Sequence, residues 1–458
     1  MEKHAHRFWL PCIICVAAIL RILVVIFAFW HDGGMRGFYP RDSIQYLLPA
    51  RELLANGTFT IEHIPHLVRT PGYPLLLLPG IALGHVTAVT ILLQIVLGCA
   101  TVWIIFLIGK QLFSTTIPAL IGAALYAIEP LAVIYSAEIV TETLFTFALV
   151  CCIYCMIIFV QKPALRPVVF GAGFCALCAY IRPVGCYLPI VLAIGALAVF
   201  FSAKTLTRRK ILQLFLFMLL SEGIVFAWNV RNGVQTGYWG FSSIKELSLY
   251  YYQAASVHAN VNRQPYLTIQ QSWGYDRELL AIEHPSSLTR PQAEHFRVLG
   301  DSGRSIIIRH PLVFAKIWIA GMVRVWIDPG GTTCLSLLGY DRNIDELIGH
   351  ALDNGMIGAL GYFARERPLM FWTNLLLGFL LVGYYLCAIA GIVSMPPGAK
   401  IFMLLLLAVI AYFAILSGGA NAVSRFRHPI MPLICIFAGC GVWRAAGKLS
   451  RGYCAPSS

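Results

Sequence analysis

Charge is scarce in this chain. Of its 458 residues only 12% are charged and 59% are hydrophobic, and the mean hydropathy is +0.75. A soluble chain carries about a quarter charged residues, and length alone would suggest about three soluble domains. Long apolar runs along most of the sequence exclude that and point to one membrane-embedded domain. Acids are scarcer than bases, with 21 Asp and Glu against 34 Lys and Arg and a net charge of +13. The excess does not read as nucleic-acid binding. Many of the basic residues cluster beside apolar runs, where they orient helices, and no basic stripe interleaved with aromatics occupies a soluble stretch. Internal repeats and low-complexity tracts are lacking. A disulfide framework is not expected either, because most of the 14 Cys fall inside apolar runs, where the thiol acts as a small hydrophobe. Only Cys334 lies well inside an outer loop, and Cys186 lies near an interface. Cys151, Cys152 and Cys155 have no His or Asp beside them, which argues against a metal. The apolar run from Phe8 to Trp30, preceded by Lys3 and Arg7, is too long for a signal-peptide core and reads as a retained first membrane helix.

A helix needs about 20 apolar residues to cross the hydrocarbon. Ten stretches qualify, at 8–30, 87–109, 117–135, 141–161, 167–181, 186–203, 210–228, 370–393, 400–417 and 429–446, the fifth being short. The fold class expected is therefore an all-α polytopic membrane bundle of about ten spans. Juxtamembrane helices and outer-face loops complete it, in a single domain over 1–458. With both termini inside, alternation puts Lys110, Lys162, Arg166, Lys204, Arg208, Arg209, Lys210, Lys400, Arg444, Lys448 and Arg451 on the cytoplasmic face. Apart from Glu2, the acids from Asp32 to Glu366 then fall outside or within spans. Two outer regions are long, 31–85 and 229–368. The stretch 309–328 is apolar but carries Lys316 and Arg324, and is expected to lie at the outer interface as an amphipathic helix. If it spanned, Arg425 and Arg427 would change sides.

Several outer-face residues carry potential chemistry. Asp42 precedes an amphipathic segment that Ser43 is placed to cap. Arg69 stands before a rigid Pro71-Gly72-Tyr73-Pro74 turn, and arginine donates two parallel hydrogen bonds to a phosphate. Glu129, Glu138 and Glu142 crowd the junction of the third and fourth spans, and Glu138 and Glu142 would share a face if helical. Carboxylates at membrane depth are costly and default to functional roles. The plain alternatives are that Asp42 is a cap or loop residue and that Glu142 caps its helix after Thr141. Arg182, Asn229, Arg231, Arg425 and Arg427 lie at the same face, and each alone reads equally as an anchor at the headgroups. Glu62-His63-Ile64-Pro65-His66 is not a zinc site by pattern, since Pro65 argues against a regular helix. Asn56-Gly57-Thr58 is a glycosylation acceptor by pattern only.

Asp42-Ser-Ile-Gln-Tyr46, Arg69-Thr-Pro-Gly-Tyr73-Pro, Thr141-Glu142-Thr-Leu-Phe, Arg182-Pro183, Trp228-Asn229-Val-Arg231-Asn, His310-Pro311 and Arg425-Phe-Arg427-His-Pro follow one another along nearly the whole chain. Together they resemble the motifs of polytopic glycosyltransferases with the GT-C fold, the protein-mannosyltransferase-like and aminoarabinose-transferase-like superfamily. The lipid A aminoarabinose transferase itself is a more distant match, because its usual Lys-Pro-Pro stretch is replaced by Arg69-Thr70-Pro71.

The resemblance implies transfer of a sugar from a polyprenyl-phosphate-linked donor to an acceptor hydroxyl on a glycan, lipid or protein. It places the reaction at the outer face of a bacterial plasma membrane, with inversion at the anomeric carbon. It assigns Asp42 as general base and Arg69, Arg182, Arg231, Arg425 and Arg427 as candidates for the donor phosphate. Glu138 or Glu142 would orient the acceptor or hold a cation, and Tyr46, Tyr73, Glu129, Asn229 and His310 are pocket candidates. No metal or other cofactor is assigned, and a divalent cation stays open. The competing readings are a flippase for a lipid-linked sugar, a sugar-chain ligase or polymerase, and an inactive scaffold. A flippase would usually show repeats and several mid-span charges, whereas Glu222 is the only clearly mid-span acid.

Overall fold

The computed structural model describes residues 2–31, 34–340 and 344–452; Asp32, counted above among the outer acids, lies outside them. Ten helices build the bundle: α1 (Glu2–His31), α2 (Val86–Leu112), α3 (Ile117–Ala127), α4 (Glu142–Gln161), α5 (Leu165–Ile181), α6 (Leu188–Ser202), α7 (Arg208–Thr236), α8 (Pro368–Val393), α9 (Pro397–Leu416) and α10 (Met431–Gly452). Among the described residues eight helices are long and apolar enough to cross a membrane, α6 counted with the 3-10 turn before it and α10 from Ser424. The other two expected spans, α3 and α5, have 11 and 17 residues. Small residues let these helices approach closely. A Cβ on Gly122 of α3 would come 2.9 Å from the Cys435 carbonyl oxygen of α10.

The third span differs most from its expectation. It was read as continuous over 117–135, but α3 ends at Ala127 and a new short helix starts at Pro130. Proline has no N–H to continue a helix, and it sits well at a first helical position. Glu129 caps the new helix, its Oε2 accepting the Ala132 N–H at 2.6 Å. Eleven residues rise only about 16 Å, so α3 stops short and the chain turns inside the bundle. Residues 131–146 are buried without a break. Arg21, buried in α1, donates to the carbonyl oxygen of Ala127 at 3.3 Å; its cation complements the negative end of α3.

The seventh span also differs. It was expected to end at 228, yet α7 runs to Thr236, where Gly237 takes the left-handed conformation that closes it. Nothing between Asn229 and Thr236 breaks a helix, so Asn229 and Arg231 belong to α7 and not to a loop.

The two outer regions pack as one layer. The first contains helix Ser43–Asn56, a two-stranded hairpin (Thr60–Ile61 with Ile64–Pro65) and helix Gly72–Ala82. The second contains a π-helical turn, Ser248–Ala254, continuing into Ala255–Asn262, then Tyr266–Ser272, Tyr275–Glu283, Gln292–Arg309, Pro311–Ile327, Gly331–Leu337 and Ile344–Glu366. Leu67 and Val68 share a core with Tyr238, Leu247, Tyr251, Tyr275 and Phe296. Helix Pro311–Ile327 meets its predecessor at a 101° bend. It lies along residues 415–424: Trp318 Nε1 donates to the Ile415 oxygen at 3.0 Å, Arg324 to that of Ala420 at 3.0 Å, and Asp328 Oδ2 accepts the Ser424 N–H at 2.7 Å.

Candidate active site

Four segments far apart in sequence meet between the bundle and the outer layer. Asp42 begins helix Ser43–Asn56, but its carboxylate makes no cap bond. Its Oδ1 accepts from Arg69 Nη2 at 2.9 Å and its Oδ2 from Arg425 Nη1 at 2.7 Å. Ser43, expected to cap, instead donates to the Ile139 oxygen at 2.8 Å. It thereby fastens the Asp42 segment to the buried turn before α4. Glu142, at the start of α4, is fully buried. Its carboxylate takes Arg182 Nη1 at 2.9 Å and also Arg425 through Nε and Nη2. Thr141 shows no side-chain cap, so the capping alternative for Glu142 is not what the fold uses. Arg425 thus bridges the two carboxylates.

Arg69 and Arg182 are each held from a second side. Arg69 donates to Gln45 Oε1 from Nε at 3.0 Å and from Nη2 at 2.7 Å, and to Tyr46 Oη at 3.2 Å, and lies over the Tyr46 ring. Its backbone N–H bonds His66 Nε2 at 3.0 Å. Arg182 lies against the rings of Phe145 and Phe426. Tyr73 sits edge-on to Tyr46 and donates to Gln94, whose Nε2 bonds the Glu138 backbone oxygen at 2.7 Å.

Electrostatics follows from this packing. Burial alone would raise the Asp42 pKa, but Arg69 and Arg425 outweigh it and hold the carboxyl below the usual range. Burial and the neighbouring Glu142 charge push Glu138 up to about 8 against the pull of Arg425. Burial, helped by Arg69 and Arg231, lowers His66 to about 3, so its ring is neutral and free to accept from Arg69. At neutral pH the cluster holds three guanidiniums, two carboxylates and a protonated Glu138, leaving one positive charge unmatched.

The sequence candidates divide sharply. Asp42, Glu142, Arg69, Arg182, Arg425, Tyr46 and Tyr73 come together, with Glu138 beside them. Glu138 and Glu142 do not share a helix face, because α4 starts only at Glu142. Arg231 is turned away, donating to the Phe59 oxygen at 2.6 Å and the His66 oxygen at 3.2 Å of the first-loop hairpin, over the Trp228 ring. Arg427, buried, donates to the Val325 and Asp328 oxygens, both at 2.6 Å. Asn229 lies in α7 and His310 at the 101° bend. Glu129 caps its short helix near His428. Gln45 and Gln94 were missed as site residues. Gln45 lay inside the Asp42-Ser-Ile-Gln-Tyr46 motif, and the signal for Gln94 was an amide at an otherwise apolar helical position. Among the described residues no group of three or more His, Cys, Asp or Glu is placed to hold a metal. Glu62 bonds His284 at 2.8 Å and Ser286 instead.

Residues 68–228 match the family described as dolichyl-phosphate-mannose-protein mannosyltransferase. No curated protein matches the chain by sequence. Among solved structures, the oligosaccharyltransferase AglB from Archaeoglobus fulgidus, in complex with an inhibitory peptide and a dolichol-phosphate, superposes with a TM-score of 0.56 at 14% identity. That match covers 99% of this chain and 53% of AglB. The chain has the GT-C fold. A second structure of the Archaeoglobus fulgidus oligosaccharyltransferase, tethered to an acceptor peptide with an NVT sequon, matches at 0.50 and 15% identity over 98% of this chain and 51% of that one. ArnT from Cupriavidus metallidurans, bound to undecaprenyl phosphate, matches at 0.42 and 14% identity over 96% and 79%, a superposition too loose to compare residues. The chain spans about half the length of the oligosaccharyltransferases it matches. The family match over residues 68–228 and the GT-C fold agree with the resemblance read from the motifs.

Proposed function

We propose that the protein is a glycosyltransferase that moves a sugar from a polyprenyl-phosphate-linked donor to an acceptor hydroxyl, with inversion, at the extracytoplasmic face of the plasma membrane. The observation that carries this reading is the unmatched positive charge of the Asp42–Glu142–Arg69–Arg182–Arg425 cluster. A donor in which phosphate joins the lipid to the sugar is a diester with one negative charge, which the cluster lacks.

The site favours such a donor on physical grounds. Asp42, Glu142, Arg182 and Arg425 meet at one level. The chain between them must therefore run away and return through α4 with α5, and through α6 to α9. The basic connections Lys162 with Arg166, Lys204 to Lys210, and Lys400 then lie on the opposite face, which the positive-inside bias makes cytoplasmic. Helix Pro311–Ile327 is taken to stay at the outer interface, since from Trp318 to Asp328 it follows residues 415–424. The lipid tail remains in the bilayer while the phosphate reaches guanidiniums recessed behind the short α3.

In the reaction, the acceptor oxygen attacks the anomeric carbon as the bond from that carbon to the phosphate oxygen breaks. The electron pair leaves with the phosphate, which becomes a dianionic monoester. The acceptor proton passes to Asp42. Asp42 loses one negative charge as the phosphate gains one, so the arginines see constant total charge while their partner changes. Arg425, which bridges both carboxylates in the resting site, is placed to follow that change. When the phosphate draws Arg425 and Arg69, Asp42 is released from the contacts that keep its basicity low. Preorganised donors of this kind stabilise charge as it develops. One carboxylate base and no nucleophile gives inversion in a single displacement.

The test uses the full-length protein in vesicles with undecaprenyl-phosphoryl hexose as donor and a cell-envelope extract as acceptor source. Wild-type protein is expected to transfer label to the extract with inverted anomeric configuration, and Asp42→Asn to insert normally without transferring. Undiminished transfer by the folded variant, or a retained configuration in the product, would refute the base assignment.

A further inference from the structure

The turn of the first-loop hairpin is made of residues that resist it. Thr60 pairs with Pro65 and Ile61 with Ile64, so the two residues between the strands are Glu62 and His63. Both stand in the left-handed region, at φ 52 and φ 62. A two-residue turn of that shape is ordinarily made by Asn-Gly or Gly-Gly, because a larger side chain there is strained. Glycine would form the turn more easily, so the turn itself does not explain Glu62. Its carboxylate does. Oε1 accepts from His284 Nδ1 at 2.8 Å, and Oε2 accepts the Ser286 N–H at 3.1 Å and the Ser286 hydroxyl at 2.6 Å. Strain held in place by surrounding contacts points to a function at that position.

His284 and Ser286 follow directly on helix Tyr275–Glu283, and the start of that helix is held as well. Asp276 lies 3.5 Å from Arg41, whose guanidinium also lies over the Tyr275 ring at 5.7 Å. Arg41 is the residue before Asp42. The hairpin, for its part, leads to Arg69. Its pairing runs on to His66, whose N–H bonds the Phe59 oxygen at 3.1 Å and whose Nε2 accepts the Arg69 N–H at 3.0 Å. Tyr275 and Ile282, seven residues apart on one helix face, share a core with Leu67 and Val68, the two residues before Arg69. One nine-residue helix thus lies across the first outer loop. It meets the Asp42 segment at its start, the Arg69 segment along its inner face and the hairpin turn just past its end.

Resting on the glycosyltransferase reading, we propose that this helix is a clamp and that Glu62 and Arg41 are positioning residues, fixing Arg69 for the donor phosphate and Asp42 for the acceptor proton. Asp42 and Arg69 bond each other at 2.9 Å in the resting site, a bond that loosens when a phosphate draws Arg69. The clamp keeps the two segments in place while that bond is exchanged for substrate. Its two ends act on different steps. Glu62 acts through Arg69, which grips the donor in the ground state and the transition state alike. Arg41 acts through Asp42, which takes part only as the proton moves.

The experiment uses the full-length protein in vesicles with undecaprenyl-phosphoryl hexose and a cell-envelope extract. Glu62→Gly relaxes the turn and removes its contact with the helix; His284→Ala with Ser286→Ala removes the contact and leaves the turn as it is. Both should raise donor KM about tenfold at nearly constant kcat, the signature of lost uniform binding. Arg41→Glu sets two carboxylates against each other at the helix start and should lower kcat about tenfold, as a displaced base does. Asp276→Arg added to it should restore most of that loss. Amide hydrogen exchange over residues 59–69 should be slow in wild type and quicken in Glu62→Gly. A hairpin that is merely structural predicts the opposite for Glu62→Gly: unchanged KM, unchanged exchange and a higher unfolding midpoint. That result overturns the inference, as does a loss in Arg41→Glu that Asp276→Arg fails to repair, and both leave the enzyme reading standing so long as wild type transfers sugar. Absence of transfer by wild type overturns that reading and the inference with it.

Discussion

Two arginine-rich regions of this protein look alike in sequence and behave differently in the fold. In the recessed cluster, Arg69, Arg182 and Arg425 face the carboxylates of Asp42 and Glu142. Around the outer layer, Arg231 and Arg427 face backbone carbonyl oxygens of other segments. A carboxylate partner leaves the guanidinium exchangeable, because an incoming anion replaces one anion with another. A carbonyl partner fixes the guanidinium, since removing it strands buried acceptors that nothing else satisfies. The comparison separates arginines that can meet a substrate from arginines that hold the walls around it.

The strongest challenge to that division is Asp42→Asn, which removes the proposed base and one anionic partner of Arg425. General-base loss typically lowers rate by roughly a hundred- to ten-thousand-fold. We therefore predict a fall in kcat/KM near the middle of that range, with normal insertion judged by size-exclusion chromatography. A fall below tenfold would mean the acceptor proton goes elsewhere.

Next in size is Arg425→Lys, which keeps the charge but cannot bridge two carboxylates in a fork. Losing one such preorganised donor costs about a hundred- to a thousand-fold in kcat. The same exchange at Arg427 should lower kcat much less. Equal losses at the two positions would erase the distinction between exchangeable and fixed arginines.

Arg427→Ala tests the fixed class directly. It strands the Val325 and Asp328 carbonyl oxygens in a buried corner, with an expected stability loss of about 3 kcal/mol. Arg231→Ala, at a half-exposed position on α7 facing the hairpin, should lose less, about 2 kcal/mol. Thermal unfolding in detergent reads both. Unchanged stability in either variant with a collapsed turnover would move that arginine into the cluster's class.

The smallest effect expected is a pH slope. Glu138 is pushed up to about 8 in the fold, above its unfolded value. The folded state therefore binds more protons between those values, and stability falls as pH rises toward and through about 8. Glu138→Gln imitates the protonated form, so its unfolding midpoint should match wild type near pH 4, exceed it increasingly as pH rises from about 5 to 8, and exceed it most at pH 9. Parallel curves for the two proteins would show that Glu138 is already ionised at neutral pH.

The sequence carried the coarse architecture well, for a reason visible in particular residues. Apolar length and basic flanks are local properties, and they located ten helices, with the largest boundary misses at the C-terminal ends of α3 and α7. It failed where local rules compete. Pro130 broke a run whose composition read as one span, and the absence of any breaker before Gly237 extended α7 past its apolar part. The motifs named Asp42, Arg69, Glu142, Arg182 and Arg425, which the fold brings together in one cluster. They gave Arg231 and Arg427 on the same grounds, because a guanidinium beside an interface looks the same whether it faces a carboxylate or a carbonyl.

What the sequence determined alone was a helical membrane protein and a short set of charged residues as candidates for its chemistry. Hydrophobic transfer and charge placement act residue by residue and need no knowledge of neighbours. Tertiary structure alone decided which charges meet: Arg425 reaches Asp42 across 383 residues and Glu142 across 283. It also decided that the turn before α4 is buried and that Ser43 holds it. Those facts depend on a short α3 that leaves the chain to turn inside the bundle, where a low dielectric makes each ionic pairing count.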